Sequence, residues 1–243
     1  MLTIHHFLRG PLGNNVYLLV DEATGRAAIV DPGIDSEDIL EFAAQRGWRI
    51  ELILNTHAHF DHVYNNAWFA GQTGAPIALH ADDLPLLRNL QDTCLRWGMP
   101  APESSPEPAI ELKHGEALDV LGTQVEVRHT PGHSPGQVCF FLRGGTGVLA
   151  HDDSTNGLSA GGTPASPNTP IAIVGDTLFH RGVGRWDLPG ASWPQLEQSI
   201  LEQLYTLPEE TLVLPGHMDF TTIGEEKRFN PYVGSGARLI PKV

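Results

Sequence analysis

Cysteine is scarce in this chain: two residues, Cys94 and Cys139, with no CxxC spacing. A disulfide framework and a cysteine-based zinc knuckle are thereby excluded, and both cysteines read as packing residues. Basic residues are also few, with 15 Lys and Arg against 29 Asp and Glu and a formal net charge of −14. That balance repels phosphate backbones, so no nucleic-acid partner is expected, an RNA phosphodiester substrate included, and an anionic substrate must find local positive charge. No apolar run reaches the ~18 residues that a membrane span needs. The opening MLTIHHFLRGPLGNN lacks the basic segment and long apolar stretch of a secretory signal. A soluble, cytoplasmic protein without a membrane partner is the expectation. What is present is a 41% apolar content over 243 residues, enough for a substantial core.

Apolar, β-branched or aromatic runs separated by turn residues predict strands at 16–20, 27–30, 51–54, 125–127, 138–142, 171–174 and 212–214. Helical spacing follows the capping candidate Asp35-Ser36, where Ile39, Leu40 and Ala43 share a face and Gly47 supplies the stop. It recurs over 63–70, 82–97 and 196–204. The alternation predicts one α/β layered domain over 1–243, with antiparallel character from an early hairpin. A Pro-rich surface loop, MPAPESSPEP, is expected after Trp97. Segment 144–170, rich in Gly, Pro, Ser and Thr, is expected to be a flexible insertion at the end of its hairpin away from the chemistry.

The chemistry concentrates after the apolar run ELIL, in Asn55-THAHFDH. His57 and His59 stand two residues apart, so an extended backbone puts both on one face. Asp61 and His62 follow where the next helix begins, and a carboxylate there suits the positive end of the helix dipole. Four metal-competent side chains this close have little packing value and fit coordination. Three more strands end in the same grammar: VEVRHT runs into Pro131-Gly132-His133, IAIV into Gly175-Asp176, and TLVL into Pro215-Gly216-His217. Strand ends of an α/β sheet converge on one site. His57, His59 and His133 are therefore expected to hold one ion and Asp61, His62 and His217 a second, with Asp176 bridging. The expected cofactor is two divalent transition-metal ions per chain, zinc first, with iron or manganese as alternatives that affinity order does not separate. Such ions lower the pKa of water toward ~7 and polarise a carbonyl or phosphoryl oxygen.

These residues resemble the metallo-β-lactamase superfamily, whose hallmark is THxHxDH followed by a distant His, Asp and His. Gly175-Asp176-Thr177-Leu178-Phe179, Gly182-Val183-Gly184-Arg185, Asp187-Leu188-Pro189-Gly190, Pro215-Gly216-His217 and Thr221-Thr222-Ile223-Gly224-Glu225 are similar to its glyoxalase II-like branch. The resemblance spans nearly the whole chain outside the insertion. It implies a four-layer αββα sandwich, a binuclear centre and hydrolysis of a small-molecule thioester such as S-lactoylglutathione, with the family's ligands on the seven residues above. Only 26 residues follow His217, which resembles the short single-domain type. True β-lactamases of the superfamily do not bridge their metals with an aspartate, so Asp176 argues against antibiotic hydrolysis. Trp186, where that branch more often has a small polar residue, is expected to narrow the pocket.

On this reading a metal-activated hydroxide attacks the acyl carbon, Asp61 is a ligand that also orients the hydroxide, and Arg185 is a candidate clamp for a substrate carboxylate. The other reading of Arg185 is a salt-bridged surface residue. Trp97 and Met99 are expected in a satellite core, with a place on a substrate rim as the other reading. Asp31-Pro32-Gly33 ends a strand and resembles a family turn that supports the site, with turn-making as the other sufficient reading. His5, His6, His80, His114, His129, His151 and His180 are expected to be structural. The alternative function is a mononuclear Fe(II) persulfide dioxygenase using His57, His133 and Asp176; the lesser one is a non-catalytic metal-binding module.

Overall fold

The structure is a computed structural model that describes residues 2–144, 146–151 and 168–238. Its strands in chain order are β1 (Leu2–Arg9), β2 (Asn14–Asp21), β3 (Arg26–Val30), β4 (Arg49–Leu54), β5 (Ile77–His80), β6 (Ile110–Leu112), β7 (Ala117–Val120), β8 (Thr123–His129), β9 (Val138–Leu142), β10 (Thr146–His151), β11 (Ile171–Gly175), β12 (Leu178–Phe179), β13 (Gly182–Val183), β14 (Leu212–Pro215) and β15 (Thr221–Thr222). The α-helices are α1 (Asp38–Gln45), α2 (Phe60–Val63), α3 (Asn66–Thr73), α4 (Leu84–Arg88), α5 (Leu90–Arg96), α6 (Trp193–Ser199) and α7 (Ile223–Phe229). One sheet runs β10-β1-β2-β3-β4-β5-β6 and a second β15-β14-β11-β9-β8-β7.

Period-two patterning builds the layers. In β2, Tyr17 and Leu19 face the second sheet and pack in one cluster with Val127, Phe140, Ile173 and Leu214. Their neighbours Val16, Leu18 and Val20 turn to the other face, where Ile39 and Ala43 of α1 and Phe69 of α3 cover them. The second sheet does the same: Phe141, Val174 and Val213 point outward onto Leu196, Ile200 and Ile223. Helix, sheet, sheet, helix is the αββα sandwich, and burying two sheets on both faces explains why their strands read as continuous apolar runs. No helix among the described residues is long and apolar enough to cross a membrane.

Two elements differ from the sequence reading. The helix expected over 63–70 breaks at Asn65, whose side chain donates to the Gly33 carbonyl at 2.8 Å and thus joins the turn after β3. Within 144–170, Thr146–His151 form β10, paired in parallel with β1, rather than loop; residues 152–167 of that expected insertion lie outside the described residues. Leu142 pairs with Ile171, so the excursion leaves at the hairpin end opposite His133 and Asp176.

Candidate metal centre

Four strand ends converge. After β4, Asn55 and Thr56 stay tied to the sheets, with Asn55 N–H donating to the Ala78 carbonyl at 3.0 Å and Val138 N–H to the Thr56 carbonyl at 2.8 Å. This puts His57 and His59 on one side of the chain, ring centroids 4.8 Å apart. His59 keeps an extended backbone (φ −68°, ψ 148°) and α2 starts at the next residue, which lifts Asp61 and His62 into the same cavity. The loop from β8 to β9 delivers His133, with Nε2 2.8 Å from His59 Nδ1. The end of β11 delivers Asp176, and the end of β14 delivers His217, paired by a bridge to Asn14 at the start of β2.

The two expected trios form: donor atoms of His57, His59 and His133 lie within 4.8 Å of one another, as do those of Asp61, His62 and His217. Asp176 stands between them. Its Oδ2 is 3.5 Å from His133 Nε2 and 3.6 Å from His217 Nε2, and its Oδ1 is 3.5 Å from His62 Nε2. All seven side chains are therefore brought together as read from the sequence.

The opposite edges of the rings are held by the protein. His57 Nδ1 is 3.0 Å from Thr56 Oγ1, His62 Nδ1 is 3.1 Å from Asp31 Oδ2, His133 Nδ1 is 2.8 Å from the Arg185 carbonyl, and His217 Nδ1 is 3.2 Å from the Leu12 carbonyl. Holding Nδ1 fixes the ring and turns Nε2 into the cavity, the arrangement of a metal-ligating histidine. His57 Nε2 and Asp176 Oδ1 are buried with no hydrogen-bond partner. A buried orphan of this kind costs free energy unless something else satisfies it.

Charge points the same way. Burial, and then the neighbouring histidines, push His57 and His133 well below the ordinary histidine value, and burial takes His59 down to about 4. These rings are neutral at pH 7, the state in which an imidazole can take a metal ion. Across the cavity burial would lower His62, but Asp61, Asp176 and Asp31 outweigh it and raise it to about 10. Burial would raise Asp61, but His62 and His217 hold it well below the usual carboxylate range. The second trio thus demands positive charge at the atoms facing the cavity, a demand that cations meet. Nitrogen and carboxylate donors of this type suit zinc, iron or manganese.

Three residues support the ligands, and of these only Asp31 had a signal in the sequence, through the resemblance of Asp31-Pro32-Gly33 to a supporting turn. Asp31 accepts from Thr56 N–H at 2.7 Å and from Thr56 Oγ1 at 2.6 Å as well as meeting His62. Asn14 donates from Nδ2 to Asp61 Oδ2 at 3.0 Å. Asp83, fully buried, accepts from Ala58 N–H at 2.8 Å, Ser134 Oγ at 2.8 Å and Gly136 N–H at 2.6 Å, joining the His57–His59 segment to the His133 loop. Backbone strain gathers here too: Asp31 and Met218 have φ of 52° and 67°, a left-handed conformation costly for residues with a Cβ. Gly216 is required by close approach, since a Cβ there would land on the Asp176 carboxylate and the His62 ring.

The remaining expectations divide. Arg185 lies beside the site, its positive charge contributing to the lowering of His59. Its exposed guanidinium is engaged by Asp187 at 2.9 and 3.0 Å, while its carbonyl orients His133. Trp186, half-buried, packs its ring against Trp193 and Tyr232 at 5.2 and 5.7 Å, with the α6 cluster. Residues 132–136 carry the Gly-x-Ser-x-Gly spacing of a nucleophile elbow. Ser134, however, sits in a strand-to-strand loop and its hydroxyl is spent on Asp83. The same spacing at 157–161 lies outside the described residues.

Comparison with known proteins agrees with this geometry. The profile of the metallo-beta-lactamase superfamily matches residues 9–152. The hydroxyacylglutathione hydrolase GloC of Haemophilus influenzae is 30% identical over 210 residues, covering 86% of this chain and 88% of its own. The crystal structure of TTHA1623 in a di-iron-bound form superposes with a TM-score of 0.73 at 36% identity, covering 93% of this chain and 98% of that one. The crystal structure of BLEG-1, a B3 metallo-beta-lactamase, superposes with a TM-score of 0.76 at 30% identity, covering 95% and 99%.

Proposed function

We propose, from the premise that this chain belongs to the metallo-beta-lactamase superfamily, that it is a single-domain metal-dependent hydrolase that cleaves a small-molecule thioester such as S-lactoylglutathione. The observation that carries the metal is the set of rings held at Nδ1, of which His62, His133 and His217 bring Nε2 to within 3.6 Å of Asp176, together with the orphaned His57 Nε2 and Asp176 Oδ1. His57, His59 and His133 would hold one divalent ion and Asp61, His62 and His217 the other, with Asp176 shared. Bound there, such ions act as a Lewis acid toward the acyl oxygen and lower the pKa of water into the neutral range.

The protein's own groups favour a thioester. Around the seven residues, the partners found among the described residues are Asn14, Thr56, Asp31 and the carbonyls of Leu12 and Arg185. None is an acid placed to protonate a departing amine. A thiol, with a pKa near ~8.5, leaves as thiolate without one. Asp61, fixed through Oδ2 by the Asn14 amide, orients the attacking water with its carboxylate. Arg185 exchanges its exposed pairing with Asp187 for a substrate carboxylate, a small sacrifice because exposed ion pairs contribute little. The similarity to GloC over most of both chains supports the acyl-thiol class, and the di-iron form of TTHA1623 places iron beside zinc as an occupant to test.

The test is a panel on the purified protein: S-lactoylglutathione cleavage, oxygen uptake with glutathione persulfide, and hydrolysis of a chromogenic cephalosporin, each with metal content. Thioester cleavage without oxygen uptake supports the proposal. Oxygen uptake with one iron per chain transfers the site to a dioxygenase using His57, His133 and Asp176, and cephalosporin hydrolysis alone to a lactamase.

A further inference from the structure

His80 and His129 were read from the sequence as structural, but they come together with Asp82 in a group that shares no residue with the strand-end centre. His80 closes β5 in the first sheet, His129 closes β8 in the second, and Asp82 lies in the 3-10 turn Ala81–Asp83 that follows β5. One donor atom from each of the three falls within 4.8 Å of the others. The two rings lie face to face, centroids 4.1 Å apart and planes 9° from parallel.

The hydrogen bonds leave one ligand lone pair free, on His129, and one held by a single long bond, on His80. His129 Nε2 is 2.8 Å from the Pro135 carbonyl, so that nitrogen carries the proton and Nδ1 keeps its lone pair. A carbonyl on the far nitrogen is the usual support of a metal-binding histidine. His80 Nδ1 accepts from Asp82 N–H at 3.2 Å, so it is unprotonated, and a cation on that nitrogen would displace this long bond; the exposed Asp82 carboxylate stands 3.7 Å from the same atom. Burial and the nearby His129 lower His80 below its ordinary value, which keeps the ring neutral at pH 7.

We propose that His80, Asp82 and His129 form a peripheral site for a borderline divalent cation such as zinc, which staples one sheet to the other. Two imidazoles and one carboxylate are a donor set for such an ion, with water completing the shell at this half-exposed position. Closing from 4.8 Å to ligand distance requires one ring to turn about χ2 out of the stack and the free Asp82 to swing toward it, both low-cost motions near the surface. The location gives the ion leverage. Asp82 adjoins Asp83, which ties Ala58 to Ser134 and Gly136, and the His129 ring is held by Pro135 of that same loop. An ion here fastens the base on which His59 and His133 are mounted.

The experiment is equilibrium dialysis of the full chain against micromolar free zinc, comparing wild type with His80→Asn, Asp82→Asn and His129→Gln. Wild type is expected to retain one zinc ion more than each variant, and added zinc to raise its unfolding midpoint further than theirs. Equal zinc per chain in wild type and variants overturns the proposal. Asp82→Asn alters an exposed carboxylate, so it keeps the comparison decisive if a histidine variant folds poorly. Because the readout is a difference, it is independent of how many ions the strand-end centre holds.

Discussion

Asp31→Asn isolates the contribution of a residue outside the seven, whose carboxylate meets His62 at Nδ1. The substitution preserves shape and can still accept Thr56 N–H at the oxygen now 2.7 Å away. The other oxygen, 2.6 Å from Thr56 Oγ1 and 3.1 Å from His62 Nδ1, becomes an NH2 group. Thr56 adjusts by rotating its hydroxyl, but the His62 N–H then faces a donor. To relieve that clash the ring must lose its Nδ1 proton or turn, and either one spoils the presentation of Nε2. One charge-assisted hydrogen bond lost is about 1.5–3 kcal/mol. At about 1.4 kcal/mol per decade this is roughly a 10- to 100-fold loss of affinity for the ion at Asp61, His62 and His217. Chelator competition measures that affinity, and urea unfolding of the metal-free chains separates it from a general loss of stability. Metal affinity in Asp31→Asn within about threefold of wild type would refute the claim that Asp31 sets the His62 tautomer.

Gly216→Ala drives a methyl group into Asp176 and His62 and is expected to abolish stoichiometric metal binding while costing about 1–3 kcal/mol of stability; full occupancy by mass spectrometry of the native protein would contradict this. Arg185→Ala should raise KM for an anionic thioester more than it lowers kcat, because a remote clamp contributes mainly uniform binding, and an unchanged KM removes it from the site. Loading the metal-free protein at pH 7 should release protons, because His62, raised to about 10, is protonated until a cation replaces its proton. Affinity should therefore fall as pH falls, and titration calorimetry in buffers of different ionisation enthalpy reads the count; no proton release would contradict the assigned state of His62.

What the sequence made legible was whatever is local. An apolar strand, a small residue and a ligand type adjoin in the chain at His57, His133, Asp176 and His217, so pattern alone located them. The supports Asn14 and Asp83 were hidden because each acts across the fold, Asn14 meeting Asp61 and Asp83 meeting Ser134. Asp31-Pro32-Gly33 resembled a supporting turn, but its neighbours in the chain do not say that the Asp31 carboxylate meets His62. The α2–α3 break was hidden for the same reason, since helical periodicity runs through Asn65 and only its bond to Gly33 explains the stop. Thr146–His151 sit in a Gly-rich stretch with no strand pattern, and β1 supplies the partner that makes them a strand.

Asp176 is the shared element of the centre, so its substitution tests the account most directly. Asp176→Asn keeps the shape of a side chain 3.5–3.6 Å from His62, His133 and His217 but removes the charge between both trios. Metal content and S-lactoylglutathione cleavage should be measured together in wild type and variant. The account predicts about two divalent ions and thioester turnover in wild type, with both occupancy and turnover lost in Asp176→Asn. A variant that keeps both ions and its turnover, or a wild type that holds a single ion, would contradict it.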